Sequence, residues 1–209
     1  MQQSIRSVRQ SNADNDTHVR GWKAQRAFWS SWLRSPISVG AIAPSSAFLA
    51  RSIAAQIDPH HPGWVVELGA GSGVITRALL HAGVKPERLL VVERDRRMCK
   101  LLKHSFPEAH VVHGDAQELE ELLAKHHVHK INTIVSCLPL LIFPKPVYTR
   151  IVEQMLAALT PYSRLIQFTY GARSSIRKRM LARAHVAATH RQRVWLNVPP
   201  ATIWIYEKK

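Results

Sequence analysis

The amino-acid sequence predicts an α/β fold with a mostly parallel sheet and helices on both of its faces. Short apolar runs alternate with segments of helical period, which is typical of β-strands joined by crossover helices. The last two strand-like runs have no helix between them, so one antiparallel strand is expected at an edge of the sheet. The seven predicted strands comprise residues 64–68, 88–93, 111–113, 131–136, 165–170, 194–198 and 202–206.

Predicted helices lie between the first five strands, over residues 74–82, 95–106, 116–126 and 147–159, and two further helices precede the first strand. The earlier of the two spans residues 18–34, and the later one begins at a Ser45 or Ser46 cap and runs to about residue 57. We therefore expect two parts: residues 1–44, with a polar tail, an amphipathic helix and a loop, and residues 45–209, with the α/β domain.

Length and composition exclude several classes of protein. The chain has 209 residues, of which 46% are hydrophobic and 21% charged, so a folded core is expected rather than general disorder. No apolar run approaches the ~18 residues that span a bilayer, and the first residues lack the apolar centre of a secretory signal.

Cysteine and histidine usage indicates neither disulfides nor a metal site. Cys99 and Cys137 show no framework spacing, which favours a reducing cytoplasm. His126, His127 and His129 form a short run without a second ligand cluster, and adjacent residues cannot face one ion from a regular element. No metal is therefore expected.

The charge balance predicts an anionic partner. Lys and Arg number 29 against 14 Asp and Glu, a formal net charge of +15, which attracts nucleic acid or an anionic membrane surface. In the predicted helix 18–34, Trp22, Trp29 and Trp32 lie on or beside one apolar stripe opposite basic residues. That pattern fits a helix lying in a membrane interface, or one that packs its tryptophans onto the domain.

A glycine-rich bend follows the first predicted strand in the run VVELGAGSG. Glu67 ends the strand, and Gly69, Gly71, Ser72 and Gly73 lead into the next helix. Glycines permit positive φ and close approach of backbone N–H groups to a ligand. The G-x-G-x-G spacing differs from that of dinucleotide folds, and Glu67 would repel a diphosphate, so a cationic or amine-bearing ligand is expected.

Further carboxylates follow the second and third predicted strands, where an open parallel sheet binds its ligand. Glu93 stands about 20 residues beyond the bend, the distance expected for a residue that binds ribose hydroxyls, and Asp115 is placed to meet an adenine amino group. Together with the bend they predict an S-adenosylmethionine site. The remaining candidate cofactor-binding residues are Arg94, Ala116 and Ser136.

Two sets of motifs carry a family resemblance. VVELGAGSG, LLVVERD and HGDA resemble the first three motifs of class I S-adenosylmethionine-dependent methyltransferases, which implies a Rossmann-like fold over residues 64–209. WLRSPISVGAIAPSS, VVELGAGSGVITRALL, IVSCLPLLIFP and LIQFTYG, within residues 32–171, resemble bacterial phospholipid N-methyltransferases. In layout the chain is also similar to the rRNA adenine dimethyltransferases.

The resemblance to the phospholipid enzymes implies stepwise N-methylation of phosphatidylethanolamine towards phosphatidylcholine, with S-adenosyl-L-homocysteine as the product of the cofactor. It also implies peripheral binding to the inner face of the cell membrane, and no DNA partner. One departure is Gly69-Ala70-Gly71, where Gly-Pro-Gly is commoner; cofactor binding is expected to survive it.

The segment after the fourth predicted strand, VSCLPL, bears on the methyl acceptor. Enzymes that methylate a nucleobase amine are expected to carry an Asn or Asp here, followed by prolines and a stacking aromatic. Ser136 and Leu140 lack those functions, which predicts that the base pocket is absent. RNA adenine N6-methylation remains the alternative, because it needs the same cofactor site and a basic surface.

Residues 173–193 contain basic side chains and no acid, and Arg177, Lys178 and Arg179 are the candidates for contact with lipid phosphate. An ordinary solvated helix and an RNA-phosphate patch are the alternatives. Tyr170, at the end of the fifth predicted strand, is the candidate catalytic residue, because aromatic faces attract a quaternary ammonium. It would otherwise be an aromatic that closes the sheet edge.

Overall fold

The computed structural model of the protein describes residues 44–170, 172–197 and 199–209. The predicted amphipathic helix at 18–34, with Trp22, Trp29 and Trp32, lies outside the described residues. Within the described ranges, no helix is both long and apolar enough to span a bilayer.

Helices and strands alternate as the sequence predicts. The helices are α1 (Pro44–Ala54), α2 (Val74–His81), α3 (Arg96–Ser105), α4 (Leu119–Lys125), α5 (Lys145–Ala157) and α6 (Lys178–Arg183). The strands are β1 (Trp64–Leu68), β2 (Leu89–Glu93), β3 (His110–His113), β4 (Ile131–Ser136), β5 (Arg164–Thr169), β6 (Val186–Val194) and β7 (Ala201–Lys208). Helix α1 begins at Pro44, just before the predicted serine cap; proline suits a first turn because it has no N–H to leave unbonded.

The strands form one seven-stranded sheet in the order β3-β2-β1-β4-β5-β7-β6. Strands β1 to β5 pair in parallel, whereas β7 is antiparallel to both β5 and β6. The predicted fold class is confirmed, although the antiparallel strand is second from the edge and β6 is outermost. Since β6 runs in the same direction as β1 to β5, all six of these strands end at the same edge, which is called the carboxyl edge below.

The predicted strand at 194–198 is wrong in its position. The observed β6 ends at Val194, and residues 195–200 join it to β7. Most of its central side chains are exposed, so the strand lacks the apolar pattern by which the sequence identifies buried strands. The basic segment 173–193 is accordingly a loop, helix α6 and strand β6 rather than one solvated helix.

The core surrounds the parallel strands. Val66, Leu90, Ile134 and Leu165, one from each of four adjacent strands, are fully buried. Strands covered on both faces have near-continuous apolar sequences, which explains why the sequence locates them well. Polar functions therefore concentrate where the strands end.

Gly73 closes the glycine-rich bend and begins α2 with a φ of 77°. A Cβ at this position would come within 2.6 Å of Phe106 Cε2 and 2.8 Å of Leu102 Cδ2. The bend thus packs directly against the end of α3, and only glycine combines this φ with this space.

Replacing Gly73 by alanine should destabilise the fold more than the matched change at Gly83. Gly83 also has positive φ, but a Cβ there would meet only Pro59, at 3.5 Å. Backbone strain alone should cost Gly83→Ala about 1 kcal/mol, and added overpacking should bring Gly73→Ala to about 3 kcal/mol. Urea unfolding measures both; equal losses would show that the packing at Gly73 is not restrictive.

Candidate functional site

A cleft lies at the carboxyl edge where β1 separates β2 from β4. Ligands of open α/β sheets bind at such a point, because the crossover connections lead away from it in opposite directions. The empty space of the cleft, including its open mouth, is about 410 Å³. Its walls come from Gly69, Val92, Glu93, Arg94, Gly114, Asp115, Ala116, Leu138, Phe143, Val147 and Ile151.

The glycine-rich bend enters the cleft at Gly69, which has a φ of 75°. Its N–H donates to Val92 O at 2.9 Å, and a Cβ would come within 2.6 Å of Leu138 Cδ2. Gly71 also has positive φ, whereas Ser72 is exposed and Gly73 is buried against α3. Of the predicted bend residues, Gly69 is the one that forms the wall of the cleft.

The Glu93 carboxylate joins two loops. Its Oε2 accepts a hydrogen bond from Gly71 N–H at 2.8 Å, and its Oε1 accepts one from Asp95 N–H at 2.8 Å. Asp95 in turn caps α3 by accepting from the backbone N–H groups of Arg97 and Met98. Each carboxylate oxygen keeps acceptor capacity for a ligand, because it has more than one lone-pair site.

Asp115 follows β3 on the adjoining wall. Its Oδ1 accepts from Gln117 N–H at 2.9 Å, and its Oδ2 lies 3.3 Å from Arg94 Nε. The Arg94 side chain is 76% exposed, so this ion pair adds little stability but places a cation at the rim of the cleft. Ala116, buried, completes this wall.

Glu67 lies under the bend and is completely buried. Thr76 Oγ1 donates to its Oε2 at 2.7 Å, while Oε1 has no hydrogen-bond partner in the described part of the chain. Burial, helped by the negative charge of Glu93, raises the pKa of Glu67 from 4.5 to about 7. A buried carboxyl with an unpaired oxygen is suited to a cationic group, which would restore its charged form.

Four apolar wall residues of the cleft, from the segment after β4 and from α5, are not predicted from the sequence. Leu138 and Phe143 come from the segment after β4, and Val147 and Ile151 lie one helical turn apart on α5. An apolar residue near the start of a crossover helix has no local feature that separates a ligand contact from a core contact. Only their assembly beside Gly69 makes them a slot for a flat apolar group.

Other predicted residues lie towards the β4–β5 side of the carboxyl edge. Ser136 ends β4, is buried, and has an Oγ without a partner among the described residues, but it is not part of the cleft wall. Burial raises the pKa of the adjacent Cys137 thiol well above its usual value, with further contributions from Glu67 and Glu93. Cys137 is therefore a buried, neutral residue and not a nucleophile.

Tyr170 follows β5 on this same side. Its ring packs edge-to-face on Phe168, with the ring centroids 5.7 Å apart. Burial raises the pKa of Tyr170, a hydrogen bond with the Asn197 side chain lowers it, and the proximity of Cys137 raises it. Tyr170 thus stands between the end of β4 and the β6–β7 turn.

Comparisons with known proteins establish the family of the chain. A family model described as a methyltransferase domain matches residues 65–162. The ornithine lipid N-methyltransferase of Singulisphaera acidiphila is 31% identical over 150 residues, which cover 68% of this chain and 78% of that protein. The chain belongs to the class I S-adenosylmethionine-dependent methyltransferases. These matches confirm the resemblance that the motifs of this methyltransferase indicate.

Other matches are shorter or more distant. Ribosomal RNA small subunit methyltransferase A of a Synechococcus strain is 36% identical over 96 residues, 44% of this chain and only 30% of that protein. A Burkholderia thailandensis 1,6-didemethyltoxoflavin-N1-methyltransferase has a TM-score of 0.61 at 16% identity, covering 92% of this methyltransferase and 90% of that chain. A TehB-like methyltransferase from Corynebacterium glutamicum has a TM-score of 0.59 at 18% identity, covering 90% and 99%. These two structures support the fold alone.

The site of this methyltransferase fits the cofactor of its family. S-adenosylmethionine presents two cationic groups, a ribose diol and an apolar adenine, and the site offers a carboxyl with an unpaired oxygen, two further carboxylates and an apolar slot. The group of Glu67, Glu93 and Asp115 expected at one edge is brought together there, with Glu67 beneath the cleft rather than in its wall.

Glu67 should make the stability of the cofactor-free protein depend on pH. Between its unfolded pKa near 4.5 and its folded pKa of about 7, the folded chain binds more protons than the unfolded one, so the free energy of unfolding falls as pH rises. A shift of this size corresponds to about 3 kcal/mol. The loss should level off above the folded pKa.

Urea unfolding at several pH values between 4.5 and 8 tests this assignment. Glu67→Gln should remove the falling contribution, whereas Glu87→Gln, at an exposed glutamate, should keep it. The same pH dependence in both variants would contradict the assignment.

Proposed function

We propose that this methyltransferase N-methylates the headgroup amine of an amino-lipid, with phosphatidylethanolamine as the acceptor and phosphatidylcholine as the end of the stepwise reaction. The observation that carries the proposal is the apolar character of the segment after β4. Cys137 and Leu140 are buried there and Leu138 packs against the bend, so no carboxylate or amide of this segment is offered to a nucleobase amine. A lipid amine requires no such base pocket.

The relative with the longer match supports a lipid acceptor. The Singulisphaera protein is an ornithine lipid N-methyltransferase, and the similarity covers most of both chains. Ornithine lipid and phosphatidylethanolamine each carry an amine close to the membrane surface. We choose phosphatidylethanolamine because the motifs of residues 32–171 resemble those of the phospholipid enzymes.

Each cofactor-binding residue has a proposed task. Glu93 accepts hydrogen bonds from the ribose hydroxyls, while its carboxylate also holds the bend by accepting from the backbone N–H of Gly71. Asp115 and Ala116 face the edge of the adenine. Glu67 balances the positive charge of the cofactor from below. The remaining contacts are assigned to Gly69, Gly71, Ser72, Gly73, Arg94 and Ser136, with the adenine between Leu138, Phe143, Val147 and Ile151.

The chemistry needs positioning more than acid–base groups. S-adenosylmethionine supplies an electrophilic methyl group on a sulfonium. The protein must present a neutral amine in line with that methyl, and alignment of this kind is worth several orders of magnitude in rate. Tyr170 lies beside Cys137 on the acceptor side, where its ring face attracts the ammonium that forms as the methyl group passes from sulfur to nitrogen, a charge that is permanent after the third transfer because no proton remains to be lost.

With a lipid acceptor, the proposed location of the enzyme is the inner face of the cell membrane. Arg177, Lys178 and Arg179 are exposed at the beginning of α6, and α6 begins near the carboxyl edge because it follows β5. Each such cation near an anionic leaflet contributes ~1 kcal/mol to binding. The tryptophans of the predicted helix 18–34 supply a second contact in this proposal.

RNA adenine N6-methylation is the second candidate, favoured by the similarity to the ribosomal RNA methyltransferases and by the basic surface. That match covers 44% of this chain, compared with 68% for the ornithine lipid enzyme. Labelled methyl groups found in RNA and not in lipid would favour this candidate.

Incorporation of labelled methyl groups into lipid extracts, separated by thin-layer chromatography, tests the proposal. The wild-type chain should yield mono-, di- and trimethylated phosphatidylethanolamine. Glu93→Gln should weaken S-adenosylhomocysteine binding in calorimetry by at least about tenfold, because an amide nitrogen cannot accept from Gly71 or Asp95 N–H. Glu87→Gln is the matched control. Labelled lipid absent despite normal cofactor binding would refute the lipid acceptor.

Replacement of Tyr170 should reveal its role in the later methylation steps. Tyr170→Phe keeps the aromatic face and should retain most activity, whereas Tyr170→Ala should slow the final step by about tenfold or more, consistent with a cation–π contribution up to about 2 kcal/mol. Rates with the dimethylated acceptor, compared with the unmethylated acceptor, measure this. An equal effect on every step would indicate that Tyr170 only closes the sheet edge.

A further inference from the structure

The turn between β6 and β7 exposes two large apolar side chains beside the candidate site. Trp195 is 70% exposed and Leu196 is 66% exposed, yet the next residue, Asn197, is almost completely buried. Since β6 runs parallel to β5, this turn lies at the carboxyl edge. Trp195 and Leu196 are called the apolar tip below.

The apolar tip is held out by contacts beneath it. Asn197 Nδ2 donates to Pro199 O at 2.6 Å, and the Asn197 side chain also hydrogen-bonds Tyr170, the residue placed on the acceptor side. The turn is therefore tied to the site through its buried residue. Trp195 and Leu196 consequently project from a fixed base.

One cation lies against the apolar tip, and others follow β5 at the same edge of the sheet. The Arg193 guanidinium carbon lies 4.5 Å from the centre of the Trp195 ring. Between Glu153 and Glu207 the chain has eight Lys and Arg residues and no Asp or Glu. Arg173 and Arg177, both exposed, follow β5 at the same edge. An apolar tip with cations at the same edge is complementary to an anionic lipid surface, where tryptophan occupies the headgroup level and arginine reaches phosphate.

We infer that the apolar tip inserts into the interface of an anionic bilayer and brings the acceptor side of the site to the headgroup layer. This inference rests on the proposed lipid acceptor and adds a specific contact to it. Two adjacent side chains offer far less area than the ~800 Å² per partner of a stable protein interface. A second copy of this chain would also bring its own net positive charge against that of the first.

Vesicle binding of the full chain tests the inference. With vesicles of phosphatidylglycerol and phosphatidylethanolamine, Trp195→Ser/Leu196→Ser should weaken co-sedimentation by at least about tenfold, the equivalent of 1.4 kcal/mol. The matched control is Leu101→Ser/Tyr162→Ser, which removes two exposed apolar side chains from α3 and from the turn before β5. The control should bind like wild type, and Trp195→Phe/Leu196→Met should retain binding because its tip remains apolar.

Binding is read without turnover, so it separates this inference from the proposed function. Selective loss of vesicle binding without any lipid methylation would support the membrane contact and refute the acceptor. Equal vesicle binding of the tip variant and the control would overturn the inference. The inference would also fail if the tip variant bound vesicles normally but lost RNA binding or a dimer that the wild type forms.

A second measurement avoids dependence on the folding of the serine variant. Subtracting the emission of Trp195→Phe from that of the wild type isolates Trp195 fluorescence. Lipids brominated in their acyl chains should quench it. Unquenched emission from vesicle-bound protein would overturn the inference.

The same variants should separate membrane contact from catalysis. Tip serine variants should lose methylation of phosphatidylethanolamine in vesicles, with nearly wild-type rates on a short-chain, water-soluble phosphatidylethanolamine and unchanged S-adenosylhomocysteine affinity. Equal losses on soluble and vesicle substrate would contradict a role in membrane contact.

Discussion

The site depends on one carboxylate that accepts hydrogen bonds from two loops. Glu93 ends β2, and its two oxygens bind the N–H groups of Gly71 and Asp95. The first contact fixes the glycine-rich bend after β1, and the second fixes the residue that caps α3. Because hydrogen bonds to a charged acceptor are among the stronger ones in proteins, the bend and the helix keep one arrangement around the cleft.

Sequence reasoning succeeds for groups that end parallel strands and fails for groups that meet only in space. Glu67, Glu93 and Asp115 each follow or end an apolar run, and parallel strands bring such ends to one edge. Val147 and Ile151 reach the cleft from α5, where their spacing is equally typical of a core helix. The sequence does not locate strand β6 correctly, because its exposed, polar residues show no apolar period.

The two ends of the carboxyl edge differ in chemistry. On the β2–β3 side the edge carries carboxylates, which suit a cationic cofactor with hydroxyl groups. On the β5–β6 side it carries arginines and the apolar tip, while neutral residues such as Cys137 and Tyr170 stand between the two. An anionic surface is attracted to the arginines beside the apolar tip, but Arg94, Arg96 and Arg97 also expose cations at the other end, so the apolar tip rather than charge alone distinguishes the two sides.

The exposed face of β6 also bears on solubility. An outer strand offers unpaired backbone groups that can recruit the same strand of another molecule and start aggregation. Here that strand carries Arg191 and Arg193 and is interrupted by a bulge between Ala188 and His190, and both features discourage edge-to-edge pairing. Molecules concentrated on one surface are thus discouraged from pairing through strand β6, although that strand is the outer edge of the sheet.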